Sequence, residues 1–352
     1  MASIGPTLEK PEDLRQAIEA GARWFRLPCG YRQRPHVENA RAVRSASAAA
    51  GVPVRLLLDL PASRPRTGKM QELSLSVGDR VRFWDPEVAE VIPAENGGRA
   101  VPLPGLAHLI PRIAARQRMW FCDGRLSFVV EGLERDSLLA KLEHGTIPLK
   151  ASNALFLPDS PSAYSTLTAD DRALLRAFSA EKMSPDWVAL SLISSPADVR
   201  EGRREARELL GQAVRVMGKF ETQEAVACAA EIVAESDGIM VARGDLGLAV
   251  GYKQLPEAQD YLVAVARRAG KIAVVATQAL EVFAETGIPQ RAELSDLSLM
   301  ARQRVDAVML GKETVFSPRP IECIRFAREV LTYETRRFEA QEKAAASVSA
   351  TA

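Results

Sequence analysis

Three histidines, four cysteines and no long apolar run close off several kinds of chemistry before any motif is sought. Cys29, Cys122, Cys228 and Cys323 lie far apart and show no metal-ligand spacing, which suits buried thiols in a reducing compartment better than a disulfide framework. His36 falls on an expected helix, and His108 and His144 fall in an irregular central stretch, so catalysis by histidine is not expected. No segment reaches the roughly 18 apolar residues of a membrane span. Met1 leads directly into polar sequence rather than a signal peptide, and the expectation is a cytoplasmic protein without a membrane partner. A formal charge of +1 gives no electrostatic reason to bind nucleic acid. Gly-x-x-x-x-Gly-Lys-Ser/Thr is absent, which excludes a P-loop, and no Gly-x-Gly-x-x-Gly follows the first strand, which argues against an open doubly wound sheet.

What is present is an alternation of short apolar runs with amphipathic stretches. At 352 residues the chain holds one large α/β barrel with an insertion, or two to three small domains. Expected strands are 4–6, 24–27, 54–59, 187–191, 214–219, 238–241, 272–276 and 306–310, and helices are expected over 11–20, 36–50, 196–210, 223–234, 253–268, 291–304 and 320–337. Eight strands in this rhythm are the arithmetic of a (β/α)8 TIM-type barrel. The rhythm breaks after the third strand, where runs such as 79–83 and 125–130 between Gly and Pro clusters read as a small β-rich lid domain. The expected division is barrel 1–66, lid 67–150, barrel 151–340 and a disordered tail 341–352.

Chemistry in a barrel sits at the C-terminal ends of its strands. Arg26, Asp59, Ser191, Lys219, Glu221, Asp245, Thr277 and Glu313 fall there. Side chains alternate faces along a strand, so Lys219 and Glu221 share a face, and by the same reading so do Arg243 and Asp245. A lysine, two carboxylates and an arginine at neighbouring strand ends suit a divalent metal holding a phosphorylated anion. The plainer alternative for either pair alone is a solvated salt bridge.

The stretch Lys219-Phe-Glu-Thr222 followed by Ser236-Asp-Gly-Ile-Met-Val-Ala-Arg-Gly-Asp-Leu-Gly247 resembles pyruvate kinase, whose pattern is Lys-x-Glu-Asn and then the same twelve residues. The similarity continues through Ala276-Thr-Gln278, Arg291-Ala-Glu293 and Met309-Leu-Gly-Lys-Glu-Thr314, and reaches back to Ile4-Gly5-Pro6. The resemblance implies transfer of the phosphoryl group of phosphoenolpyruvate to ADP. It implies that Glu221 and Asp245 hold Mg2+ or Mn2+ and that Lys219 stabilises the phosphoryl group in flight. Thr277 matches the threonine near the enolate carbon, and Arg26 and Arg66 match arginines on the transferring phosphate and nucleotide. The backbone around Ala242, Arg243, Gly244 and Asp245, together with Ser191 and Thr277, matches the substrate site. Lys150, in Lys-Ala-Ser-Asn153, matches a nucleotide contact, and Cys122-Asp-Gly124 matches the family's Asp-Asp-Gly in the lid.

The departures carry expectations of their own. Pro28-Cys-Gly-Tyr31 lacks two side-chain ligands of the family's activating K+, while Asp59 remains, and Arg64 replaces a glutamate. Members that work without K+ carry a lysine there, so K+ is not expected to be required and Arg64 is its expected substitute. Thr222 replaces the metal-site asparagine, Gly311 a serine and Phe316 a nucleotide-contacting lysine; Lys312 is new, and the loop 61–64 is eroded. The family's C-terminal domain is expected to be missing, which leaves a homodimer through the barrel open. Two other readings also stay open: a metal-dependent lyase or decarboxylase of another 2-oxo acid, which needs Glu221 and Asp245 but not Arg66, and a catalytically silent binding protein.

Overall fold

A computed structural model describes residues 1–31, 34–89, 99–122, 124–158 and 166–350, with backbone only for 345–350. Its elements in chain order begin with β1 (Ala2–Ser3), α1 (Pro11–Ala20), β2 (Trp24–Pro28), α2 (His36–Ala50) and β3 (Arg55–Leu60). An excursion follows with β4 (Arg80–Trp84), β5 (Arg99–Pro102), α3 (Leu106–Leu109), β6 (Arg118–Phe121), β7 (Leu126–Leu133) and β8 (Ser137–His144). The chain then returns through α4 (Ala169–Ala180), β9 (Trp187–Leu190), α5 (Pro196–Leu210), β10 (Arg215–Phe220), α6 (Gln223–Ala227) and α7 (Ala229–Glu235). Next come β11 (Gly238–Ala242), α8 (Arg243–Val250), α9 (Leu255–Arg268), β12 (Ile272–Ala276), α10 (Glu281–Thr286), α11 (Arg291–Gln303), β13 (Ala307–Met309), α12 (Lys312–Val315) and α13 (Pro320–Ala350).

Eight of these strands form one parallel sheet in the order β1, β2, β3, β9, β10, β11, β12, β13, and a parallel bridge between Ala2 and Leu310 joins its two ends. The result is a (β/α)8 barrel. The first strand is two residues long and precedes the expected 4–6, because the chain turns away at Gly5 to pass α12. The strands are apolar on both faces, as buried parallel strands must be. Outward residues pack under the helices, while Trp24, Leu57, Trp187, Met217, Met240, Val274 and Met309 fill the interior. Trp24 and Trp187 lie 5.4 Å apart between ring centres near the start of their strands.

That interior layer decides where the charges go. Two residues further along the same strands, on the same inward face, stand Arg26, Asp59 and Lys219, with Glu221 two beyond Lys219. A dry aromatic and methionine floor therefore carries a polar layer at the C-terminal mouth.

The excursion is a separate five-stranded sheet ordered β5, β4, β8, β7, β6 around Phe83, Phe121 and Phe128, whose rings meet at 5.3 to 5.9 Å. Its core also takes in Leu155 and Leu157, so its packing continues beyond residue 150. Gly124, with φ at +80°, brings the β6–β7 turn against Leu248 of α8 and Tyr252, where a Cβ would meet Leu248 at 2.5 Å. The tip of this unit thus rests on the helix that carries Asp245.

Two expectations are corrected. The helix expected over 223–234 is interrupted at Cys228, and α13 continues without a break through Ala350 where a disordered tail from 341 was expected. Alanine, glutamate, glutamine and lysine after Phe338 are strong helix formers, and that propensity outweighs the lack of anything to bury. No helix among the described residues is long and apolar enough to cross a membrane.

Gly5 marks how tightly the barrel closes, since a Cβ there would lie 2.6 Å from Val315 Cγ1 and 2.9 Å from its Cα. Gly5→Ala is expected to cost about 1–3 kcal/mol by overpacking this seam. Urea denaturation checks it, and an unchanged midpoint would show that α12 yields without cost.

Candidate active site

The inward charges form one connected layer. Asp59 accepts from Arg26 Nε at 2.6 Å through Oδ2 and meets Lys219 Nζ at 3.1 Å through Oδ1. Lys219 also touches Glu221 Oε1 at 3.2 Å and donates to Ser191 Oγ at 2.6 Å, while Ser191 donates to the Leu60 carbonyl at 2.6 Å. Glu221 Oε2 accepts the Leu192 N–H at 2.8 Å. Asp245 lines the same cavity as Glu221, and its Oδ2 meets Arg64 Nη1 at 2.9 Å.

Burial raises the cost of every charge here, and the neighbours decide which group gives way. Burial alone would raise the Asp59 carboxyl, but Lys219 and Arg26 outweigh it and hold Asp59 below the usual carboxylate range. Burial alone would lower Lys219, yet Asp59 and Glu221 hold it above an ordinary lysine. Glu221 goes the other way: burial, then the charge of Asp245, push its carboxyl up despite Lys219. Asp245 stays low because Arg64 and then Lys219 outweigh its own burial penalty.

These groups line a cavity of about 260 Å3 that also receives Arg66, Ala242, Gly244, Thr277, Gln278 and Lys312. Tyr31 and Phe316, both exposed, meet edge to face at its mouth with ring centres 6.5 Å apart. Alternation from Val274 and Ala276 would point Thr277 out of the barrel. Left-handed backbone at Thr277 (φ +73°) and Gln278 (φ +55°) re-aims this loop, and Thr277 Oγ1 accepts the Gly244 N–H at 3.2 Å.

Other expected residues are placed differently. Arg243 and Asp245 do not finish a strand, because β11 stops at Ala242 and both belong to the first turn of α8. Arg243 turns to Asp296, with both contacts at 2.7 Å, and to the Thr277 carbonyl at 2.6 Å, so its side chain straps α8 to the loop after β12. Ser191 is a buried link that orients Lys219. Lys150 lies on the inserted unit, paired with Glu72 at 2.8 Å and away from the cavity. Glu313 holds the N–H groups of Ala279, Leu280 and Gly311 and shapes the loops, while Thr222 caps α6. Asp123 lies outside the described residues. Asp296 escaped the sequence reading because one acidic residue on an amphipathic helix looks like any solvated one.

Among the described residues no group of three metal-ligating side chains gathers. The pair Glu221 and Asp245 nevertheless fits a hard divalent ion such as Mg2+ or Mn2+. Glu221 is buried and Asp245 half-buried in one cavity, so their like charges favour a cation between them, and oxygens of a bound anion and water would complete such a site.

Comparison with known proteins agrees with this geometry. Residues 1–324 match the family model described as pyruvate kinase, barrel domain. The chain is 31% identical over 329 residues to the pyruvate kinase of Methylorubrum extorquens, covering 92% of this chain and 66% of that protein. It is 30% identical over 334 residues to pyruvate kinase 2 of Synechocystis, covering 94% of this chain and 55% of that protein, and 30% identical over 336 residues to the pyruvate kinase of Corynebacterium efficiens. The chain therefore spans between about half and two thirds of the length of the first two.

Asp59→Asn leaves two buried cations facing each other and is expected to lower stability by about 3 kcal/mol at neutral pH. Because the Asp59 pKa is depressed on folding, its contribution is present above the ordinary value of about 3.9 and is lost as the pH falls through the folded value. Chemical denaturation from pH 7 to 2 should show the difference between wild type and Asp59→Asn shrinking only below about pH 4. A difference independent of pH would remove Asp59 as the keystone charge.

Proposed function

Since the chain belongs to the pyruvate kinase family, we propose that it transfers the phosphoryl group of phosphoenolpyruvate to ADP, with Mg2+ or Mn2+ held by Glu221 and Asp245 and without need of K+. The observation that carries this reading is Lys219, an ammonium fixed by Asp59, Ser191 and Glu221 directly beside the carboxylate pair. A divalent ion there supplies Lewis acidity toward the phosphorylated anion.

The charge balance favours such a substrate. Arg26, Arg64, Arg66 and Lys219 face Asp59, Glu221 and Asp245 around one cavity, an excess of one positive charge when all are ionised. A divalent ion raises that to three, the charge of a fully ionised phosphorylated carboxylic acid. With Arg64 supplying an internal cation where the family has a glutamate, an external monovalent cation is not needed.

Each residue then has a part. Lys219, held charged, meets the negative charge that spreads over the phosphoryl group as it moves. Arg26 and Arg66 flank that group; Arg66 is anchored by its bond to the Ser152 carbonyl at 2.9 Å, on the segment returning from the lid. The first turn of α8, with Gly244 and Asp245, offers backbone N–H groups and a favourable dipole to the substrate carboxylate. Thr277 stands beside Gly244, where it can pass a proton to the enolate carbon once the phosphoryl group has left. The inserted sheet rests on α8 through Gly124 and excludes water, which matters because hydrolysis competes with transfer. Retention of Lys219 and Arg66 supports phosphoryl transfer over carbon–carbon chemistry, which requires neither.

Purified protein with phosphoenolpyruvate, ADP and Mg2+ is expected to form pyruvate and ATP at a rate that changes less than about twofold when Tris+ replaces K+. Lys219→Ala and Glu221→Ala should each lower kcat by about 100-fold or more. Consumption of oxaloacetate without that of phosphoenolpyruvate would transfer the assignment to a 2-oxo acid lyase, and a many-fold rise with K+ would remove Arg64 as the monovalent cation's substitute.

A further inference from the structure

Groups of the protein itself close in on the carboxylate pair. Glu221 uses Oε1 on Lys219 and Oε2 on the Leu192 N–H. Asp245 Oδ2 is engaged by Arg64 Nη1 at 2.9 Å, with the arginine side chain only 13% exposed. A divalent ion held by the two carboxylates would compete with that guanidinium for Asp245, since two cations beside one carboxylate repel each other strongly. Arg64 also sits on the connection that leaves β3 for the inserted sheet, and its guanidinium lies 5.7 Å from the ring centre of Phe156, on the segment that returns from that sheet and pairs with Trp120. Both strands of the connection to the lid therefore meet at Arg64.

We propose that Arg64 is a built-in competitor for the divalent ion: it neutralises Asp245 in the resting protein and leaves that oxygen when a phosphorylated carboxylate arrives to receive it. This rests on the reading of Glu221 and Asp245 as the metal pair, and it adds an order to binding. Metal alone binds weakly, because it must displace a desolvated arginine. Metal with the anion binds tightly, because the anion gives Arg64 another negative partner close by. The two ligands therefore promote each other, and by linkage each does so by the same factor. An arginine suits this exchange, since the fork that fits a carboxylate fits a phosphate equally well.

The test is Mn2+ binding, read from the free Mn2+ signal in electron paramagnetic resonance, for the wild type, Arg64→Gln and Arg64→Lys, each with and without phosphoenolpyruvate and in the absence of ADP. Arg64→Gln is expected to bind Mn2+ alone at least tenfold more tightly than wild type, and the tightening that phosphoenolpyruvate gives should shrink by the same factor. Arg64→Lys, which keeps the charge but loses the fork, should fall between them and shows that the loop tolerates substitution. Equal or weaker Mn2+ binding by Arg64→Gln overturns the inference, as does undiminished promotion by phosphoenolpyruvate. Tighter Mn2+ binding in a protein that transfers no phosphoryl group would leave the inference standing while the proposed function falls. Turnover with an Arg64-independent Mn2+ affinity would do the reverse, and no Mn2+ binding by any of the three proteins at millimolar concentration removes both.

Discussion

A single carboxylate shared between two cations organises the mouth of this barrel. Asp59 lies between Arg26 and Lys219 with its side chain almost wholly buried, and no member of that trio is tolerable there alone. Arginine and lysine cannot both face the interior without it, and Asp59 cannot stay ionised without them. The trio fixes Lys219, Lys219 meets Glu221, and Glu221 shares its cavity with Asp245 in the first turn of α8. The reactive part of the layer is thus assembled from β2, β3, the end of β10 and α8 largely by charge, above a buried floor that includes tryptophan and methionine.

Much of this was legible from one periodicity. Side chains two apart on a strand share a face, so residues following the apolar floor positions on β2, β3 and β10 had to meet inside the barrel, and Arg26, Asp59, Lys219 and Glu221 do. The same rule misled at Arg243 and Asp245. There the strand has already given way to a helix, where residues two apart point in nearly opposite directions, about 200° around the axis. Arg243 accordingly braces the scaffold against Asp296, and only Asp245 enters the site. Thr277 is the complementary case, since its place depends on two left-handed residues, a backbone choice that no pattern of side chains announces. Lys150, matched to a nucleotide contact by motif likeness, lies on the inserted unit in an exposed pair with Glu72.

The change that most alters the character of the site is also local. An arginine at 64 places a cation against a carboxylate proposed to hold a metal and links that carboxylate to both strands leading to the inserted sheet. On this account, filling the site, neutralising the anion and settling the lid are one event in the same small volume. The family resemblance explains which residues are retained, whereas the exchange at Arg64 follows from this chain's own contacts.

The central claim, that Glu221 and Asp245 grip one divalent ion beside Lys219, is tested most directly by crystals grown with Mn2+ and phosphoenolpyruvate and measured at the manganese absorption edge. The account predicts a single anomalous peak in contact with both carboxylates, with the phosphoryl group between that peak and Lys219 Nζ. Manganese bound by only one of the two, or a phosphoryl group turned away from Lys219, would contradict it.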